Sequence, residues 1–171
     1  YLAGYLINNS MSLTWKTASK NFENYLRLEK SLSENSIAGY LNDVRKLEEF
    51  DMEGGNKKGP ASLTYHDLRE FINREGSGGV SARTQARLIS GIRAFYRFLL
   101  IDGEITENPT SLLESPRLGL KLPEVLTVTE IDRIVGVIDL SRPDGHRNKA
   151  IIETLYGCGL RVSELVNLRL T

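Results

Sequence analysis

Cysteine is all but missing from this chain: Cys158 is the only one in 171 residues. That excludes an internal disulfide and fits a reducing, cytoplasmic setting. Histidine is nearly as scarce. His66 and His146 stand far apart and Cys158 has no ligand-type neighbour, so spacing gives no metal site and no cofactor is expected. A surplus of one charge is missing too, because 22 Lys and Arg balance 22 Asp and Glu. Any attraction to nucleic acid must therefore come from a local patch. No stretch approaches the roughly 20 apolar residues of a membrane span. The opening YLAGYLINNS has no basic stretch and precedes Met11, so residues 1–11 are set aside as an extension. Internal repeats, low-complexity tracts and strand-like alternation are lacking. GGNKKG has neither the GxxxxGK[ST] order nor a preceding strand, and reads as a loop.

What remains is helical periodicity. Ala18, Phe22, Tyr25 and Leu26 recur at helical spacing, and after SLSEN a second helix carries Ile37, Tyr40, Leu41, Val44, Leu47 and Phe50 on one face. EGGNKKGP interrupts it. A third helix opens at Thr64 and Asp67, which have capping-box spacing, and carries Leu68, Phe71 and Ile72. GSGG follows, then a longer fourth helix from about Ser81 to Leu100, closed by DGEITENPTS and Pro109. Four amphipathic helices over residues 12–112 predict an all-α bundle. Residues 113–126, with two prolines and no period, read as an interdomain linker. Beyond it Thr127 and Glu130 form another capping box. Ile131, Ile134, Val135 and Ile138 then give one buried face, and Ile151, Ile152, Leu155 and Tyr156 a second. Residues 127–171 are too few for a domain of ordinary size, so this second unit is expected to be cut short.

The fourth helix has four arginines and no acidic residue between Val80 and Ile101. At about 100° per residue, Arg83, Arg87, Arg93 and Arg97 fall within an arc of roughly 120°, with Ser90 between them. Leu88, Ile92, Phe95, Tyr96 and Leu99 lie opposite. One face packs while the other offers unopposed positive charge. The planar guanidinium fork suits phosphate and the O6/N7 edge of guanine. A plain solvated face competes with this reading, although such faces usually mix signs. On the second helix Ala38, Gly39, Asn42, Arg45 and Lys46 oppose the apolar stripe. Small residues permit close approach and Asn42 suits a base edge, but a weak spot in a solvated helix explains them equally well.

In YGCGLRVSEL, Gly159 is placed to end one helix in the left-handed conformation. The next helix is expected to begin near Leu160, with Arg161, Ser163 and Glu164 in its first turn. A cation there opposes the helix dipole unless an anion is held between the free N–H groups and the guanidinium. Glu164 is spaced to orient Arg161. An ordinary helical corner with an Arg–Glu pair competes, as does a DNA-reading helix spanning Val162 to Leu170.

LYGCGLRVSELVNLRL, residues 155–170, resembles the first catalytic box of the tyrosine site-specific recombinases, the phage-integrase class, most closely of the XerC/XerD type. SENSIAGYLNDVRKLEEF and SARTQARLISGIRAFYRFLL are similar to the second and fourth helices of that family's N-terminal domain. ENPTSLLESPRLGLKLPEVLTVTEIDRIV resembles its domain junction. The resemblance implies an all-α chain with a SAM-like, core-binding domain of four helices, followed by the helical start of a catalytic domain. It implies duplex DNA as partner, no metal or nucleotide, and tetramers on two duplexes for the full-length enzyme. The fragment alone is expected to be monomeric.

By position, the resemblance makes Arg161 the first catalytic arginine and Glu164 its support. It makes Ser36, Ala38, Gly39, Asn42, Arg83, Arg87 and Ser90 DNA-facing. Arg45, Lys46, Arg93 and Arg97 join them from the helical pattern. The family's catalytic lysine, its histidine–arginine box and its nucleophilic tyrosine fall beyond Thr171, so this chain is expected to bind duplex DNA without cutting it. Two other readings stay open: a non-enzymatic helix-turn-helix regulator, and a helical module whose arginine face meets an acidic protein.

Overall fold

The computed structural model describes residues 13–54, 57–119 and 122–169. Among the described residues seven α-helices run in order: α1 (Trp15–Asn24), α2 (Glu34–Glu53), α3 (Tyr65–Ser77), α4 (Ala82–Ile101), α5 (Val128–Gly136), α6 (Gly145–Cys158) and α7 (Val162–Val166). No strand occurs among the described residues. The chain divides into two compact units, Tyr1–Gly119 and Leu120–Thr171.

In the first unit each helix starts where a hydroxyl meets a free backbone N–H. Thr14, Ser33, Thr64 and Ser81 cap α1 to α4 by accepting from the N–H groups of Thr17, Ser36, Asp67 and Thr84. At α3 the box is reciprocal, the Asp67 carboxylate accepting from Thr64 N at 2.8 Å. α1 continues as a π-helical turn, Tyr25–Glu29, and ends at Ser31 with φ of 49°. Arg27 ties that turn to both Glu23 and Glu34.

The core follows the apolar stripes. Phe22, Val44, Leu47, Leu68, Ile92, Phe95, Tyr96 and Leu99 are fully enclosed. Phe22 sits at its centre, with ring centroids 5.3 Å from Phe95 and 5.5 Å from Phe98. Polar groups inside are satisfied: Trp15 Nε1 donates to Asp51 at 2.8 Å, and Tyr96 Oη donates to the Pro60 carbonyl at 3.0 Å. α2 and α4 share the most extensive packing among the helices. Tyr40, Leu41 and Phe50 are only partly buried against this core. Leu113, expected to begin the linker, is 6% exposed and belongs to the core, while Leu112 beside it is 72% exposed.

In the second unit Thr127 and Glu130 form the expected reciprocal box, with Thr127 N donating to Glu130 Oε2 at 2.8 Å. α6 ends at Gly159 in the left-handed region (φ 63°), which favours a residue without Cβ. The expected buried faces do not close. Ile131, Val135, Ile138, Ile152 and Leu155 are half-buried, while Ile134, Ile151 and Tyr156 are exposed. Three short helices present too little surface to enclose an apolar face.

Candidate nucleic-acid interface

α4 divides as its periodicity requires. Leu88, Ile92, Phe95, Tyr96 and Leu99 are buried, whereas Arg83, Arg87, Ser90 and Arg97 are exposed and Arg93 is half-buried. The positive charge on that outer face is not unopposed, however. Arg87 donates from Nη1 to Asp43 Oδ2 at 2.9 Å and from Nη2 to Asp43 Oδ1 at 2.7 Å, an end-on bidentate pair between α4 and α2. Arg93 donates to the Leu113 carbonyl and to Ser115 Oγ, so it anchors the segment that follows the bundle. Arg83 and Arg97 make no ion pair or side-chain hydrogen bond with the described residues.

Asp43 occupies the seam between the two helices. Its side chain is 1% exposed, against 52% for Arg87. Burial pushes its carboxyl above the ordinary range, and the hydrogen bonds and charge of Arg87, with the charge of Lys46, offset that only in part. Both oxygens accept from Arg87, an arrangement that suits the ionised form. Gly91 makes the seam possible. A Cβ there would fall within 3.0 Å of Asp43 Cβ and Cγ, and closer still to Oδ2. Removing one partner of a buried pair costs about 3–5 kcal/mol, and the half-exposed Arg87 puts this pair at the lower end or beneath it.

The α2 face is likewise more engaged than its pattern predicts. Arg45 pairs with Glu49 and donates to Asn42 Oδ1 at 2.8 Å, and Lys46 reaches Glu75 on α3 at 2.8 Å. Reading adenine bidentately needs both the oxygen and the nitrogen of an asparagine amide. Asn42 meets that need only when Arg45 lets go. Ser36 contributes its N–H, and its hydroxyl at 3.0 Å from Ser33 Oγ, to the start of α2. Ala38 is exposed, and a Cβ on Gly39 would have nothing within 4 Å, so this stretch of α2 is open to close approach. Ser90 Oγ donates back to the Ala86 carbonyl at 3.0 Å. Of the six cations expected on the two helices, Arg83 and Arg97 alone among the described residues remain unengaged.

Within the second unit, Arg161 is the N-cap of α7, one position before the first turn in which it was expected. The backbone of Arg161 is extended (φ −77°, ψ 154°), so the helical turn begins after it. Arg161 N donates to Glu164 Oε2 at 2.7 Å and Nη1 donates to Glu164 Oε1 at 3.0 Å. The guanidinium side chain is 83% exposed, so this pair contributes a few tenths of a kcal/mol at most and leaves most donors open. α7 covers Val162–Val166 only, where the recognition-helix reading expected one helix to Leu170. Asn167 Nδ2 donates to the Ser163 carbonyl at 2.7 Å and closes the helix early.

Sequence reasoning missed Asp43. The available signal was Gly91, a glycine in mid-helix with no turn to explain it. Among the described residues no group of His, Cys, Asp and Glu is clustered to hold a metal ion, and no helix is long and apolar enough to cross a membrane.

Residues 20–103 match the phage integrase N-terminal SAM-like domain. The chain is 38% identical over 148 residues to a tyrosine recombinase XerC of Bacillus licheniformis, covering 86% of this chain and 48% of the relative. It is 35% identical over 154 residues to a XerC of Bacillus subtilis, covering 90% and 50%. It is 33% identical over 158 residues to a tyrosine recombinase XerD of Staphylococcus haemolyticus, covering 91% and 52%. The chain thus spans about half the length of the curated relatives it matches.

Proposed function

We propose, since this chain belongs to the phage integrase family of tyrosine recombinases, that its activity is site-specific DNA recombination and that residues 12–112 supply its grip on duplex DNA. The observation that carries this reading is the outer face of α4. Arg83 and Arg97 stand exposed and unneutralised by the described residues, on a helix with no acidic residue, beside an open stretch of α2. Arg83 and Arg97 contact phosphates. Gly39 and Ala38 let the α2 backbone close on the sugar–phosphate chain, and Asn42, with Ser36 and Ser90 at the margin, faces the groove. Arg45 and Lys46 flank this face in ion pairs with Glu49 and Glu75, and add positive charge to it only where DNA displaces those carboxylates.

Arg161 is the first catalytic arginine in this reading. A tyrosine oxygen attacks the scissile phosphorus, the 5′-hydroxyl leaves, and a 3′-phosphotyrosine keeps the energy of the broken ester for the reverse step. Arg161 holds the non-bridging oxygens, where charge builds in the transition state, and Glu164 orients it. Three of the five tyrosines among the described residues are buried or half-buried, while Tyr65 and Tyr156 are exposed. Tyr96 is buried on the Pro60 carbonyl, and Tyr25 and Tyr40 pack against the core. In this reading these 171 residues bind duplex DNA as a monomer and leave it uncut, with tetramers on two duplexes in the full-length enzyme.

Duplex binding followed by fluorescence anisotropy tests the reading. Each phosphate contact contributes about 0.9 to the slope of log affinity against log salt. Arg83→Glu with Arg97→Glu should remove close to two such contacts. Unchanged affinity and slope in that double variant would refute the assigned face. A nicked suicide duplex should yield no covalent adduct.

A further inference from the structure

The Asp43–Arg87 pair is more elaborate than a surface helix needs. The Asp43 carboxyl group is enclosed between α2 and α4 with both oxygens on Arg87, a mid-helix glycine clears space for it, and the arginine it holds stands on the face assigned to DNA. Of the five N–H donors of a guanidinium, the pair uses one on each Nη. Nε–H and the second hydrogen of each Nη make no hydrogen bond to the described residues. The half-exposed side chain thus offers donors from a group whose charge is already balanced and whose orientation is fixed.

We propose that Asp43 is a positioning residue of the DNA interface: its buried carboxylate keeps the Arg87 guanidinium in one pose when duplex binds, so that Arg87 contributes a fixed donor edge rather than a mobile cation. This rests on the reading of α2 and α4 as the DNA face. A phosphate cannot draw Arg87 away without stranding the Asp43 charge in the seam, where the other cation acting on it, Lys46, is already bonded to Glu75. Arg83 and Arg97 have no such restraint and supply the salt-dependent part of the grip. Neutralising Asp43 should therefore add a cation to the binding face instead of merely weakening it.

The test is the salt dependence of binding to a mixed-sequence duplex of about 20 base pairs, from about 50 to about 200 mM salt. Asp43→Asn should steepen the slope by about 0.9, the value of one phosphate contact, and adding Arg87→Gln should return it to the parent value. A purely structural pair predicts weaker binding with an unchanged slope, and a pair that already yields to phosphate predicts no change; either result overturns the proposal. If Asp43→Asn does not fold, nitrogen-15 spectra of the parent decide. Separate, slowly rotating Nη proton signals of Arg87 should persist in the duplex complex while its Nε–H signal shifts. Collapse of the Nη signals into one average, or an unmoved Nε–H, would overturn it. A parent chain that binds no duplex would refute the DNA-face reading itself, a result separate from all of these.

Discussion

Replacing Gly91 by alanine puts a methyl group into the seam between α2 and α4. The added carbon would lie within 3.0 Å of Asp43 Cβ and Cγ, atoms near the backbone of a side chain that is 1% exposed and held by Arg87. Asp43 cannot swing aside without leaving its partner, so either the helices move apart or the pair breaks. Overpacking costs about 1–3 kcal/mol, and contact with three atoms puts this site in the upper part. Alanine recovers about 1 kcal/mol in helix propensity. The net expectation is a loss of about 1–2 kcal/mol, or roughly 5–15 °C in Tm for a unit of this size. Trp15 supplies the assay, being the only tryptophan and buried in the first unit. Its fluorescence reports that unit's unfolding, separately from the second. In an Asp43→Ala background the same substitution should be neutral or stabilising, which makes the coupling measurable as a double-mutant cycle. A Gly91→Ala protein that melts at or above the parent temperature would refute the close approach on which the argument depends.

Gly39→Ala, where nothing lies within 4 Å of the new carbon, should stabilise the same transition by about 0.5–1 kcal/mol yet weaken duplex binding by holding the α2 backbone off the DNA. Equal or tighter binding would remove Gly39 from the interface. Tyr96→Phe strands the buried Pro60 carbonyl and should cost about 1–3 kcal/mol by Trp15 fluorescence in urea; a neutral result would mean that another donor fills the gap. Asp67 gives a pH prediction. Burial favours its neutral form, but the Lys58 ammonium at 2.7 Å and the Thr64 N–H and hydroxyl outweigh that and hold it at about 2. A folded pKa below the unfolded value contributes stability above about pH 4 that is lost as pH falls toward 2. Discounted for the half-exposed Lys58, the contribution is on the order of 1–2 kcal/mol. Asp67→Asn should lose less stability than the parent between about pH 6 and about pH 3, and an equal loss would exclude Asp67 as its source.

The helices were legible because their signals are local. A hydroxyl residue with a carboxylate three positions on predicts Thr64–Asp67 and Thr127–Glu130 as helix starts, and both are reciprocal boxes. Gly159 needs only its neighbours to specify a left-handed cap. The π-helical turn at Tyr25–Glu29 has no such mark, since YLRLE contains neither proline nor glycine. The tie from Arg27 to Glu34 joins that turn to the helix after it. The surroundings of Leu113 lack periodicity and so read as linker, whereas its side chain is buried and its carbonyl accepts from Arg93, twenty residues away.

The same distinction runs through the charged residues of α2 and α4. A helical projection compares charges on one helix, and by that measure α4 carries four unopposed arginines. The counter-charge to Arg87 lies 44 positions earlier on α2, and the atom that holds Arg93 is a backbone carbonyl, which has no identity in a sequence. Only tertiary packing shows that the four arginines belong to different chemical classes. Arg83 and Arg97 are exposed cations with no partner among the described residues, Arg93 is a structural tether, and Arg87 is a donor with its charge already balanced. If charge alone governed the proposed grip on DNA, the four would be interchangeable. The buried carboxylate under Gly91 is the reason to expect that they are not.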